Sequence, residues 1–202
     1  MSDPAVALLE FDSISAGIAA GDAMVKSSPL GSIFAGTVHP GRYLTLVSGD
    51  TASVEIALGV GSSAGGDHVI DTVFLPDIHP DVTSAVVGGR PGASLRDEAL
   101  GIVETTTAAA VIDAADAGVK AADVAVSSVQ LSDGLGGKGY ALFSGEVAEV
   151  EAAVESAGER ADSHGSLVRA DVIAQLHEEM AENLGAQLRF MRRVEARREG
   201  SG

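Results

Sequence analysis

One feature limits what this chain can fold into more than any other: it repeats itself. GIAAGDAMVK, residues 17–26, lies over VIDAADAGVK, residues 111–120, with six of ten positions identical, including Asp22 with Asp116 and Lys26 with Lys120. The offset of 94 places Leu9-Glu10 over Val103-Glu104. Further on, Ser48-Gly49-Asp50 lies over Ser144-Gly145-Glu146 and Val54-Glu55 over Val150-Glu151 at an offset of 96, and His79 over His177 at 98. The drift is what small loop insertions produce. A fixed-period self-match of this kind is a duplicated structural unit, and 202 residues hold two units of roughly 90 residues each. Gly, Pro and Ser cluster at Gly88–Ser94, as in a linker. The expected organisation is a first domain over 1–88, a linker over 89–98, a second domain over 99–184 and a basic C-terminal extension over 185–202.

Each copy reads strand, helix, strand, strand, helix, strand. In the second, the apolar run Ala99–Glu104 predicts a strand and Thr105–Thr107 offer helix-capping hydroxyls. A helix follows to about Ala121, with Ala108, Val111, Ile112, Ala115 and Val119 on one face. Val124–Leu131 is rich in β-branched residues, the glycine turn 132–137 connects it to Lys138–Ser144, and a helix opening at Gly145-Glu146 leads to a last strand over Leu167–Ile173. The first copy gives the same order over Ala5–Phe11, Ser15–Ser28, Ser32–Val38, Arg42–Ser48, Thr51–Val60 and Val69–Leu75. The expected fold class is α+β: a ferredoxin-like βαββαβ unit, twice, each an antiparallel sheet with helices on one side.

Composition narrows the function classes. A net charge of −16 repels phosphate backbones and argues against nucleic acid. There is no cysteine, so no disulfide, thiolate cluster or cysteine nucleophile. No apolar stretch of about 20 residues is present to span a membrane, and MSDPAVALLEF does not read as a signal peptide. His39, His68, His79, His164 and His177 show no metal-ligand spacing; His79 and His177, as repeat partners, are expected to share a structural role. Ser, His and Asp occur without a nucleophile elbow. The glycines at 134–139 are not followed by Lys-Ser/Thr and a helix, so a phosphate loop is disfavoured. No catalytic residues and no metal are expected.

The segments ALLEFDSISAGIAAGDAMVKSS, GIVETTTAAAVIDAADAGVKAADV and LFSGEVAEVEAAVESA resemble the opening strand, first helix and second helix of bacterial microcompartment shell proteins. HPGRYLTLVSGD, FLPDIHPDV and GLGGKGY are similar to the tandem members from propanediol-utilisation compartments. The likeness runs from about Ala5 to Leu184. It implies a homotrimer that imitates a hexamer, a tile with a central pore for metabolites, acting with other shell proteins and possible encapsulated enzymes, in a cytoplasmic shell. It places His39, Pro40, Gly41, Arg42, Gly134, Leu135, Gly136, Gly137, Lys138 and Gly139 at the pore, and Lys26 and Lys120 at tile edges. Some members hold an iron–sulfur cluster on a pore cysteine in a phrase like GGK-Cys-Y; Gly139 stands there, so no cofactor is expected. An arginine two residues before the last histidine is replaced by Asp77 and Gln175. Arg42 and Lys138 align at an offset of 96 and, if they face the lumen, would favour anionic solutes. The rival expectations are a trimeric small-ligand-binding regulatory protein and, ranked below it, an enzyme of similar architecture. The extension carries Arg189, Arg192, Arg193, Arg197 and Arg198 beside Leu184, Leu188 and Met191, and reads as a solvated helix over 178–199 or as a docking arm for an acidic partner.

Overall fold

A computed structural model describes residues 5–88 and 99–185. The first unit comprises β1 (Ala5–Phe11), α1 (Ile14–Ser27), β2 (Ser32–Val38), β3 (Arg42–Gly49), α2 (Thr51–Gly65), β4 (Val69–Leu75) and α3 (Pro80–Gly88). The second repeats it as β5 (Ala99–Thr105), α4 (Ala108–Ala121), β6 (Ala125–Leu131), β7 (Gly139–Gly145), α5 (Val147–Ser163), β8 (Leu167–Ile173) and α6 (Glu178–Gly185). Each unit forms a four-stranded antiparallel sheet, in order β2-β3-β1-β4 and β6-β7-β5-β8. This is the ferredoxin-like order the pattern predicts.

Local chemistry sets the elements. Helices start where a side chain can accept a free first-turn N–H: Ser13 caps α1 through Ala16 N at 3.3 Å, Asp50 caps α2 through Ser53 N at 3.0 Å, and Thr107 caps α4 through Ala110 N at 3.2 Å. β1 is buried throughout because it is central and covered on both faces. Its alternation sends Leu9 and Phe11 towards Ala20, Met24, Val54 and Ala57 of α1 and α2. Val6 and Leu8 face the other way, with Leu44, Leu46, Val82 and Ala85.

That second layer differs from the sequence expectation. The long helices do lie on one side of each sheet, but a short helix covers the opposite face. α3 packs Val82 and Ala85 there, and α6 packs Ala181 and Leu184 with Leu100, Ile102 and Leu142. The pattern predicts α6 but not α3, whose nine residues open on a proline. Pro80 sits in its first turn, where a missing N–H costs nothing. The α3 layer continues without a break into the core of the second unit through Val124, Val126 and Val129, so the two units share one apolar core. The linker 89–98 and the extension beyond Gly185 lie outside the described residues.

Candidate functional site: the interface between units and the paired loops

The site is a seam, built where β1 and β4 of the first unit meet α4 of the second. Glu10 is the lone carboxylate in the apolar strand AVALLEF and is fully buried. Its Oε2 accepts from Ala108 N at the start of α4 (2.8 Å), and its Oε1 accepts from Arg42 Nη1 (2.5 Å). Burial raises the Glu10 carboxyl above its ordinary value, against the lowering effects of Arg42 and the Ala108 N–H. The Thr107 hydroxyl donates to Asp71. Asp116 accepts from His79 N at 2.7 Å and from Lys120 at 2.7 Å, and Lys120 also donates to the Asp77 carbonyl.

The repeat partners make the expected structural contact. His79 Nδ1 accepts from Asp81 N and His177 Nδ1 accepts from Glu179 N, each at 3.3 Å, closing the first turns of α3 and α6. Beside the seam, a groove of about 710 Å³ between β4 and α4/α5 is lined in part by Asp71, Asp113, Asp116, Lys120, Arg160 and His164. Its charges are largely paired internally: Asp113 has Arg160 at 3.9 Å and His164 at 3.6 Å. Among the described residues no group of three or more His, Cys, Asp or Glu could hold a metal ion.

The two loops expected at the pore are turns between paired strands, one per unit. His39, Pro40 and Gly41 are exposed, as are Gly134 and Gly136, with Leu135 half-buried. Two of the expected lining residues are not open. Gly137 is buried beneath the Arg42 guanidinium, and Gly139 is buried at the start of β7, where an added Cβ would lie 2.5 Å from Val111. Arg42 also departs from a lumen-facing role. Its side chain is 24% exposed and turned into the seam, because buried Glu10 requires a counter-charge. Lys138 stays on the surface, 2.7 Å from Glu104. Of the expected edge lysines, Lys26 is exposed and pairs with Asp22 at 2.6 Å, whereas Lys120 serves the seam. The sequence reading misses Glu10, Asp71 and Asp116 as seam residues. A charge inside an apolar strand and a carboxylate one turn before Lys120 were the available signals.

A family model for the BMC domain matches twice, over residues 5–78 and 99–176. The duplicated sheet-and-helix unit with its paired loops thus defines a class: the chain belongs to the BMC-domain family of bacterial microcompartment shell proteins, as a tandem member. It is 40% identical over 176 residues to the bacterial microcompartment shell protein PduT of Citrobacter freundii, spanning 87% of this chain and 95% of that one. It is also 39% identical over 85 residues to the microcompartment shell protein EutM of Salmonella typhimurium, covering 42% of this chain and 86% of that protein. A crystal structure of a microcompartment protein from Desulfitobacterium hafniense superposes with a TM-score of 0.80 at 34% identity, covering 90% of this chain and 99% of that one.

Proposed function

We propose that three copies of the chain close head to tail into a ring of six units, a flat tile whose central pore passes metabolites through the shell. The observation that carries this is a face left uncovered. In the second unit, α4 buries Ala108, Ile112, Asp116 and Val119 against the first unit. The equivalent positions of α1 are Ile14, Ile18, Asp22 and Val25, and all four are exposed at the surface; Ile18 is 55% exposed where Ile112 is 0%. Asp22 stands 59% exposed where Asp116 is 6%.

The same imbalance recurs on the other side of the sheet. β6 lies under α3, while Phe34 of β2 is 51% exposed, as is Met180 of α6, the counterpart of Val82. A contact that joins two different surfaces is heterologous and closes into a ring when its rotation divides a full turn. Repeating the internal seam between chains sets Glu104, His177 and α6 of one copy against the N-terminus of α1, Asp22 and β2 of the next. The exposed apolar residues of α1 and β2 then become interface.

In this ring the loops at His39, Pro40, Gly41 and at Gly134, Leu135, Gly136 surround the axis, and Lys26 and Lys120 lie towards the rim that meets other shell proteins. Small residues suit crowded loops at an axis because glycine allows close approach. The role is structural: the working part is an opening, with no catalytic residue and no resident cofactor. Native mass measurement with face-on electron microscopy tests it. A species of three times the 20.3 kDa chain, six-sided with a central hole, is expected; a single chain at micromolar concentration, or compact particles without a hole, would overturn it.

A further inference from the structure

The internal seam and the seam proposed between chains use the same places in the repeat, so each residue of one has a counterpart in the other. On the sheet side, Glu10 stands across the strands from Asp71 in the first unit, and Glu104 stands across from Arg169 in the second. On the helix side, Thr106 and Thr107 precede α4, and Asp12 and Ser13 precede α1. These are structural equivalents. Asp12 N donates to the His68 carbonyl as Thr106 N does to the Ser166 carbonyl, and Ser13 caps α1 as Thr107 caps α4.

Two charges differ between the seams, and they differ together. Within the chain a carboxylate, Asp71, accepts from the Thr107 hydroxyl, and the neighbouring Thr106 is uncharged. Between chains a guanidinium, Arg169, holds the place of Asp71, and a carboxylate, Asp12, holds the place of Thr106. Both are open in the single chain. Arg169, with its side chain 73% exposed, directs Nε and Nη2 at Asp171 at 2.5 and 2.8 Å, so that Nη1 can take a second carboxylate. Asp12, with its side chain 60% exposed, meets His68 Nδ1 through Oδ1 at 2.8 Å, so that Oδ2 can take a second donor. A guanidinium stands farther from its strand than an aspartate carboxyl does. It reaches past the capping hydroxyl to the carboxylate one residue before it, and its planar fork suits that carboxylate.

We propose that Arg169 of one copy and Asp12 of the next form an ion pair that selects which surfaces meet between chains, so that the partner this seam accepts is a second copy joined second unit to first. The inference rests on the ring reading. Its selectivity lies in the wrong contacts. The strand face of the first unit laid on α1 of another copy sets Asp71 against Asp12, two carboxylates. The strand face of the second unit laid on α4 of another copy leaves Arg169 facing threonines. Like charges forced together suppress the wrong contact, and the opposite pair steers the right one.

Sedimentation of the full chain over a dilution series reads the pair through a double-mutant cycle. Asp12→Asn and Arg169→Gln should each lower the trimer's association constant by about tenfold or more, while Asp12→Asn/Arg169→Gln should lose no more than the larger single loss. The losses should shrink in about 0.5 M salt. Both side chains are exposed in the single chain, so urea midpoints at the dilute end should not change, which separates pairing from folding. The chain has no cysteine, so a short bismaleimide should close Asp12→Cys/Arg169→Cys into covalent trimers and leave Thr106→Cys/Arg169→Cys as single chains. Unchanged association in the single variants, or losses that multiply in the double variant, would overturn the pair and leave the ring standing. A parent chain that stays single at micromolar concentration overturns the ring and the pair with it.

Discussion

Ile18 and Ile112 occupy the same place in the two copies, and replacing each by alanine separates folding from assembly. Ile112 is fully buried inside the chain, so Ile112→Ala leaves a cavity and should cost about 2–5 kcal/mol of chain stability. Ile18 is 55% exposed in the single chain, so Ile18→Ala should change the stability of that chain by no more than about 0.5 kcal/mol. In the ring the exposed part becomes buried. Three carbons at about 0.8 kcal/mol each, scaled by that exposure, give about 1.3 kcal/mol per seam and about 4 kcal/mol over three seams, a factor of about a thousand in the trimer's association constant. Sedimentation over a dilution series measures the association, and denaturant unfolding at the dilute end measures the chain. Equal losses of chain stability for the two variants, or an unchanged dissociation range for Ile18→Ala, would refute the reasoning, because either result means that the α1 face is not the counterpart of the α4 face.

Three further outcomes follow from the interior. Thr45 Oγ1 is buried without a hydrogen-bond partner among the described residues, so Thr45→Val, which keeps the shape, should raise stability by about 1 kcal/mol in a urea titration. Burial raises the Asp113 carboxyl above its ordinary 3.8, with Arg160 and His164 lowering it in partial offset. The folded chain therefore binds this proton more tightly than the unfolded chain, and the Asp113 contribution to stability declines as pH rises above 3.8 through the raised value. Asp113→Asn should then gain more over the parent at about pH 7 than at about pH 4 in urea midpoints; a gain that grows towards acid would contradict it. Asp116→Ala strips the acceptor from His79 N and the partner from Lys120, and should lower the thermal midpoint by an amount worth about 1–3 kcal/mol, whereas Asp22→Ala should leave the isolated chain unchanged and weaken only the trimer.

The one-dimensional pattern carried most of the fold because each element is announced locally. Ser13, Asp50 and Thr107 mark helix starts, the apolar and β-branched runs mark strands, and β1, β2 and β4 begin and end in the structure at the residues expected from the sequence. The repeat doubled this information, since one copy's ambiguities are settled by the other. α3 escaped because a nine-residue helix that opens on a proline has too few turns to show a period, and the residues it packs with, Leu8, Leu44 and Leu46 in its own unit and β6 in the other, lie tens of positions away.

The loops expected at the pore were legible as glycine turns, but which of their residues stay open was not. Gly134 and Gly136 stay exposed, whereas Gly137 meets Arg42 and Gly139 meets Val111, side chains that approach from other elements. The sequence by itself determined the duplication, the α+β class, the βαββαβ order within each copy and the family. Only the tertiary structure decided that Arg42 turns inward, that Lys120 and Asp116 bond across an internal seam while Lys26 and Asp22 pair on the open surface, and that the two copies are therefore not interchangeable. The reason is physical: periodicity and capping act within a few residues along the chain, whereas desolvation of Glu10 and burial of Ile112 depend on surfaces that meet only after both units have folded.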